Sequence, residues 1–166
     1  MSRIQLALNV EDIDESVAFY SKLFGTEPAK RRPGYANFAI AEPPLKLVLL
    51  ENSGQGGSLN HFGIEVADTD VVDAEQSRLA AAGLASVEER DAICCYARQD
   101  KFWVKGAPDA ERWEIYTVKQ DSPTFWGDDD GRGWAAVDAE LGAAPSASVG
   151  EEEGQAPAAH PGACCA

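Results

Sequence analysis

Basic charge is what this chain has least of. Fourteen Lys and Arg stand against 28 Asp and Glu, a formal net charge of −14. Phosphate contact needs a basic face, so nucleic-acid binding is excluded. The one basic cluster, Lys30-Arg31-Arg32, is either a solvated edge or a lip that attracts an anionic substrate. No apolar run approaches the ~20 residues of a membrane-spanning helix, which excludes a helical span. The first residues, Met1-Ser2-Arg3-Ile4-Gln5-Leu6, lack a signal-peptide pattern. That predicts a cytoplasmic protein whose thiols stay reduced. Histidine is limited to His61 and His160, and cysteine to two adjacent pairs, Cys94-Cys95 and Cys164-Cys165.

Adjacent thiols are poorly placed to bridge each other. A disulfide wants Cα atoms ~5.5–6 Å apart, and neighbours across a trans peptide stand only ~3.8 Å apart. Two thiolates side by side suit another task, chelation of one soft, thiophilic centre. Against this stands the plainer reading of Cys94 and Cys95 as small buried residues. Cys164-Cys165, at the end of the sequence, has no core to fill; it either captures soft metal or metalloid ions, or has no role.

The length fits one domain plus a tail. Residues 1–120 carry 19 acidic and 13 basic side chains, whereas residues 121–166 carry 9 and 1. From about residue 127 onward Gly, Ala, Pro, Ser and Glu dominate, a composition that predicts disorder. Trp126 and Trp134 are the exceptions and are expected to dock on the domain. Within 1–120 the chain repeats. Gln5-Leu6-Ala7-Leu8-Asn9-Val10-Glu11-Asp12 lies over His61-Phe62-Gly63-Ile64-Glu65-Val66-Ala67-Asp68 at an offset of 56. Each copy leads from a strand into a helix. The first helix is predicted from Asp12 to Phe24, with Asp12 and Glu15 as a capping box, Gly25 as its stop and Ile13, Val17, Tyr20 and Phe24 as its apolar face. The second is predicted from Asp70 to Ala82. Three strands follow each helix, near 28–32, 35–41 and 45–51, then near 86–90, 95–105 and 111–118. The fold class is therefore α+β: two βαβββ modules, 1–57 and 58–120, with a cleft between two curved sheets and an acidic tail over 121–166.

Residues 1–120 resemble the vicinal oxygen chelate superfamily, the glyoxalase-like fold of glyoxalase I, extradiol dioxygenases and the fosfomycin and bleomycin resistance proteins. The resemblance implies a divalent metal held by the first strand of each module and a last strand. Position by position, its ligands fall on Gln5, His61 and Glu114. The remaining position falls near Leu47, which cannot bind a metal. Three ligands with open positions on one side resemble the 2-His-1-carboxylate triad of non-haem iron(II) oxygenases. Gln5 replaces the usual His, and an amide oxygen is the weaker ligand. His61 on its own reads more readily as a hydrogen-bonded core residue, and it is the repeat alignment that puts it on a ligand position. Glu114 among Trp113, Ile115 and Tyr116 is costly to bury unless a cation meets it.

Gly34–Phe38, Pro44–Leu50, Leu59-Asn60-His61, Cys94-Cys95-Tyr96 and Arg112–Tyr116 narrow the resemblance. Together they are similar to the bacterial organoarsenical C–As lyase group, related to cadmium-induced proteins. That group implies iron(II)- and O2-dependent cleavage of the carbon–arsenic bond in methylarsenite and trivalent aromatic arsenicals, with arsenite as the product. Cys94 and Cys95, with Tyr96 beside them, would hold the arsenic and point its organic group at a metal on Gln5, His61 and Glu114. Nickel or cobalt could occupy the same site. The segment Ala92–Tyr96 is expected to be a loop that moves. Phe38, Tyr96, Phe102 and Trp103 are candidate pocket walls, strand core being the default for each. The resemblance also allows a homodimer. Two rivals remain. One is a thiol-based protein that sequesters arsenic, cadmium or a drug without catalysis. The other is a glyoxalase-like enzyme, which Leu47 and the cysteine pair argue against.

Overall fold

The computed structural model describes residues 2–108, 111–127 and 139. The first half of the domain comprises β1 (Arg3–Val10), α1 (Ile13–Phe24), β2 (Lys30–Arg32), β3 (Tyr35–Ile40) and β4 (Leu45–Glu51). The second comprises β5 (Leu59–Glu65), α2 (Thr69–Ala81), β6 (Ser86–Cys94), β7 (Ala97–Val104) and β8 (Trp113–Asp121). The expected pair of βαβββ modules is what forms. Trp134, His160 and Cys164-Cys165, with most of the acidic tail, lie outside the described residues.

The two modules do not keep separate sheets. They join through an antiparallel β1–β5 contact into one eight-stranded sheet, ordered β2-β3-β4-β1-β5-β8-β7-β6. Each first strand already pairs in parallel with the last strand of its own module, β1 with β4 and β5 with β8. Its other edge is open, and pairing the two open edges satisfies both rows of backbone groups. The cleft is therefore the concave face of a single sheet.

Local sequence sets the helix ends. Asp12 caps α1 by accepting from the Glu15 backbone N–H at 2.8 Å, and Gly25 closes it at φ +62°. Asp68 caps α2 through the Val71 N–H at 3.0 Å, so this helix begins one residue earlier than expected. Ile13, Val17, Tyr20 and Phe24 lie on Phe38, Leu47 and Leu49 of the outer sheet face. Val72 of α2 lies on Val66, Phe102 and Ile115. Burying a residue such as Phe38 or Phe102 completely stabilises the fold by roughly 1.5–3 kcal/mol. Both are core under the helices rather than walls of the cleft, the default reading that strand alternation favours.

The largest boundary difference is β6. Four successive charged residues, Glu88-Glu89-Arg90-Asp91, hide its second half in the sequence. It is an edge strand, and charged side chains suit an edge. Its ladder with β7 slips between Glu89 and Ala92, where Asp91 takes φ +54°, and then continues to Cys94.

Candidate metal and thiol site

Strand register assembles the centre of the concave face. Gln5 on β1 is opposite Gly63 on β5, and Gly63 is beside Glu114 on β8. Gly63 places no side chain between them. A Cβ there would lie 3.1 Å from Gln5 Nε2 and 3.2 Å from Gln5 Cβ. Gln5 and Glu114 close over the gap, and His61, two residues before Gly63 and therefore on the same face, completes a triangle. Gln5 Nε2 lies 3.0 Å from His61 Nε2 and 2.9 Å from Glu114 Oε1, and the His61 Nε2–Glu114 Oε1 distance is 3.4 Å. All three residues are buried. Donors bonded at ~2.0–2.2 Å to one face of a metal ion stand about this far apart, so the donor set fits a divalent ion once Gln5 offers its oxygen. His61 Nδ1 faces Asn60 Oδ1 at 2.7 Å, which places the ring proton on Nδ1 and leaves the Nε2 lone pair facing inward.

The matching position of the first module is Val48 rather than Leu47. The offset of 56 puts Ala7 over Gly63; Gly63 pairs with Glu114, and Ala7 pairs with Val48. Leu47 faces the opposite side, under α1. Neither residue can bind a metal, so the three-donor count stands.

Lys101 was not singled out in the sequence. It is 1% exposed, with Nζ 3.3 Å from Glu114 Oε2, 3.6 Å from Glu89 Oε2 and 4.8 Å from the centre of the Trp103 ring. Burial alone would raise the Glu114 carboxyl. The Lys101 ammonium more than offsets this and holds it at about 2. Trp103 stands edge-on to His61, with ring centres 5.6 Å apart, and so does wall the site.

Cys94 and Cys95 are at a tight turn, not in an open loop. Cys94 ends β6, and Cys95 and Tyr96 form the two-residue connection to β7, with φ of +58° and +60°. Type I′ hairpins need left-handed φ at both positions, where Asn-Gly is the usual occupant. A Cys-Tyr pair there is strained, and such strain gathers at functional sites. Neighbours fix the turn: the Cys95 N–H donates to Phe125 O at 2.8 Å, and Tyr96 O accepts from Ser122 N at 2.9 Å and from Lys30 Nζ at 3.0 Å. Lys30 also pairs with Asp121. Trp126 bridges to Cys94, so this tryptophan docks on the domain as expected. The Tyr96 ring packs on Tyr35 and Phe125. The two sulfurs are 3.0 Å apart. A hydrogen bond from Cys95 pulls the Cys94 thiol below its ordinary range, and that bond, together with burial, pushes Cys95 up. The Lys101 ammonium favours the thiolate at both.

One cavity of about 290 Å³ joins these groups. Gln5, His61, Glu114, Cys95, Gln99, Tyr35 and Lys46 are among its lining residues. Gln99 Oε1 is buried without a hydrogen-bond partner among the described residues. No described helix is long and apolar enough to cross a membrane.

Residues 3–115 match the Glyoxalase/Bleomycin resistance protein/Dioxygenase superfamily. The chain belongs to that superfamily. It is similar to the cadmium-induced protein CadI of Mycobacterium tuberculosis, at 62% identity over 125 residues, covering 75% of this chain and 82% of that relative. It is also similar to the trivalent organoarsenical cleaving enzyme of Thermomonospora curvata, at 60% identity over 131 residues, covering 78% and 86% of the two chains. Among solved structures, the Mn(II)-bound glyoxalase of Novosphingobium aromaticivorans matches with a TM-score of 0.51 at 20% identity. That match covers 77% of this chain and 44% of the other, and it speaks to the fold alone.

Proposed function

We propose that the protein cleaves the carbon–arsenic bond of trivalent organoarsenicals, methylarsenite and aryl arsenites among them, and releases arsenite in the cytoplasm. The observation that carries this reading is the shared cavity, which has Cys95, with Cys94 buried beside it, at one wall and a three-donor triangle at another. The similarity to the Thermomonospora curvata enzyme supports it. Cys94 and Cys95 take the arsenic as a dithiolate. The Cys94 thiolate displaces one arsenic-bound hydroxyl, which leaves as water with the proton Cys94 gave up to solvent, and the Cys95 thiol displaces the second, which leaves as water with the Cys95 proton. The organic substituent stays on arsenic and extends into the cavity toward Gln5, His61 and Glu114. Gln5 Oε1, His61 Nε2 and a Glu114 oxygen would hold iron(II), which would there supply the redox chemistry that activates O2. Lys101 keeps Glu114 ionised and ready as a ligand. Holding the arsenic and orienting its substituent removes much of the entropic part of the barrier. For methylarsenite the atoms balance with O2 as sole oxidant: CH3As(OH)2 and O2 give As(OH)3 and formaldehyde.

The test incubates anaerobically purified, iron(II)-loaded protein with methylarsenite in air and follows arsenic speciation. Arsenite formed over many turnovers, dependent on both iron and O2, supports the reading. Methylarsenite bound tightly and returned unchanged would show a sequestering protein instead. Cys94→Ser/Cys95→Ser should abolish turnover and leave metal binding intact.

A further inference from the structure

We infer that the Gln5 amide turns over when a divalent metal enters the triad, and that Tyr116 is the positioning residue that serves both of its orientations. The inference rests on the metal-binding reading above. As the site stands, the amide nitrogen faces inward. It donates to Glu114 Oε1 at 2.9 Å and to His61 Nε2 at 3.0 Å. Neighbouring side chains dictate this orientation. Asn60 gives its Nδ2–H to Asn9 Oδ1 at 2.9 Å, so its own Oδ1 accepts from His61 Nδ1, and His61 Nε2 is left as an acceptor. Two inward acceptors require the NH2 of Gln5 between them. An amide nitrogen has no free lone pair for a metal, so binding needs Oε1 in that place. A half-turn about the terminal torsion, which is broad and two-fold, exchanges the two atoms.

What receives the outward end decides whether the turn is feasible. Gln5 Oε1 now accepts from the Tyr116 hydroxyl at 2.5 Å. A lysine there could serve only the oxygen, and a carboxylate only the nitrogen. A hydroxyl serves either. Tyr116 Oη is also 3.0 Å from Glu65 Oε2 and 3.0 Å from Lys46 Nζ. In the present state it donates to Gln5 and accepts from Lys46. After the turn it accepts from Gln5 Nε2 and swings its proton to Glu65, still accepting from Lys46. No buried polar group at this end loses its partner in either state. Gly63 leaves the space: a Cβ there would lie 3.1 Å from Gln5 Nε2 and 3.2 Å from Tyr116 Cε1.

The arrangement gives a reason for glutamine at this position. Its NH2 joins His61 and Glu114 while the site is empty, and its oxygen becomes a ligand when the site fills. Loss of the Tyr116 hydroxyl acts in one direction. The outward end of Gln5 would then meet the Lys46 ammonium, which attracts an oxygen and repels an NH2. Glu65 Oε2 is already engaged by Lys46 and Arg3.

Two measurements test this, one of orientation and one of affinity. In the metal-free protein, the Gln5 side-chain amide protons should show NOEs to the His61 ring. With Zn(II) bound they should show NOEs to the Tyr116 ring instead. In parallel, metal-free protein is titrated with Co(II) and followed by visible absorption. Tyr116→Phe should bind about ten- to a hundredfold more weakly, the range seen for groups that orient a metal ligand. Adding Tyr116→Phe to Gln5→Ala should weaken binding no further. Amide protons that give no NOE to Tyr116 with Zn(II) bound, or a folded Tyr116→Phe that binds Co(II) like the unmodified protein, overturn the inference and leave Gln5 as a ligand. A Gln5→Ala protein that binds Co(II) normally overturns the metal-binding role of Gln5 itself. The NOE arm uses the unmodified protein, so it decides the matter even if Tyr116→Phe fails to fold.

Discussion

Lys101 Nζ and Glu114 Oε2 form a 3.3 Å ion pair that water barely reaches, with side-chain exposures of 1% and 5%. A buried pair of this kind is weak evidence for stability, but breaking it from one side leaves an uncompensated charge. Lys101→Met should therefore cost about 3–5 kcal/mol in the metal-free protein. A divalent ion at the triad would compensate the unpaired carboxylate, so the same variant should gain more melting temperature from added metal than the unmodified protein does. Thermal melts with and without Co(II) check both parts. Equal metal-induced gains in the two proteins would show that Lys101 and the ion do not share Glu114.

Gly63 lies between Gln5 and Glu114, and the added methyl of Gly63→Ala would press on Gln5 Nε2, Gln5 Cβ and Tyr116 Cε1 at 3.1–3.2 Å. Gln5 Cβ is fixed to the backbone and cannot swing aside. The expected result is a loss of about 1–3 kcal/mol, the usual range for overpacking a filled site, with weaker Co(II) binding in the same titration. A variant as stable as the parent and equally metal-avid would mean that β1 and β5 separate more easily than their register suggests.

The candidate triad was legible because the chain repeats and because the repeat resembles a metal-binding superfamily. The 56-residue offset places Gln5 over His61 without reference to structure, and Glu114 falls on the last strand. The supporting groups were not legible, because cross-strand register brings them together. Gly63 reads as an ordinary strand glycine until β1 and β8 are known to flank it. Lys46, Glu65 and Tyr116 are far apart in sequence and meet only across three strands. Lys101 could have been suspected from alternation, since it falls between Gln99 and Trp103 on one face of β7. A register error of one residue put the module-one equivalent of Glu114 at Leu47 instead of Val48, and one residue in a strand is the difference between its two faces.

Glu65 sets an acid limit on stability. Burial alone would raise its carboxyl, but Lys46 and Arg3 more than offset this and hold it below the ordinary carboxylate value. A group lowered in the folded state contributes stability that is present above its unfolded pKa of ~4.3 and is lost as pH falls through the folded one. Melting temperature should thus begin to fall as pH drops below about 5, where unfolded Glu65 takes up a proton and the folded group resists it. Glu65→Gln should be less stable at pH 7, with a shallower decline on the acid side. Parallel acid limbs in the two proteins would assign the loss to other carboxylates.

The thiol pair should titrate as a unit in two steps. Cys95 donates to Cys94 across 3.0 Å, so the first proton leaves below the ordinary thiol value, and the second leaves above it because burial and the neighbouring thiolate oppose another charge. Absorbance of the thiolate near 240 nm against pH reads both steps directly, with Cys164→Ser/Cys165→Ser as the background so that only this pair contributes. Removing the donor reverses the first effect: in Cys95→Ala the Cys94 thiol keeps its burial but loses its hydrogen bond, and its step should move up in pH. Lys101→Met should raise both steps, because one ammonium favours both thiolates. The consequence for capture follows the same order. Methylarsenite association should rise with pH through the first step and then level off, since one thiolate is enough to begin displacement at arsenic. A single transition at the free-cysteine value, with association tracking it, would mean that the two sulfurs act independently in solution.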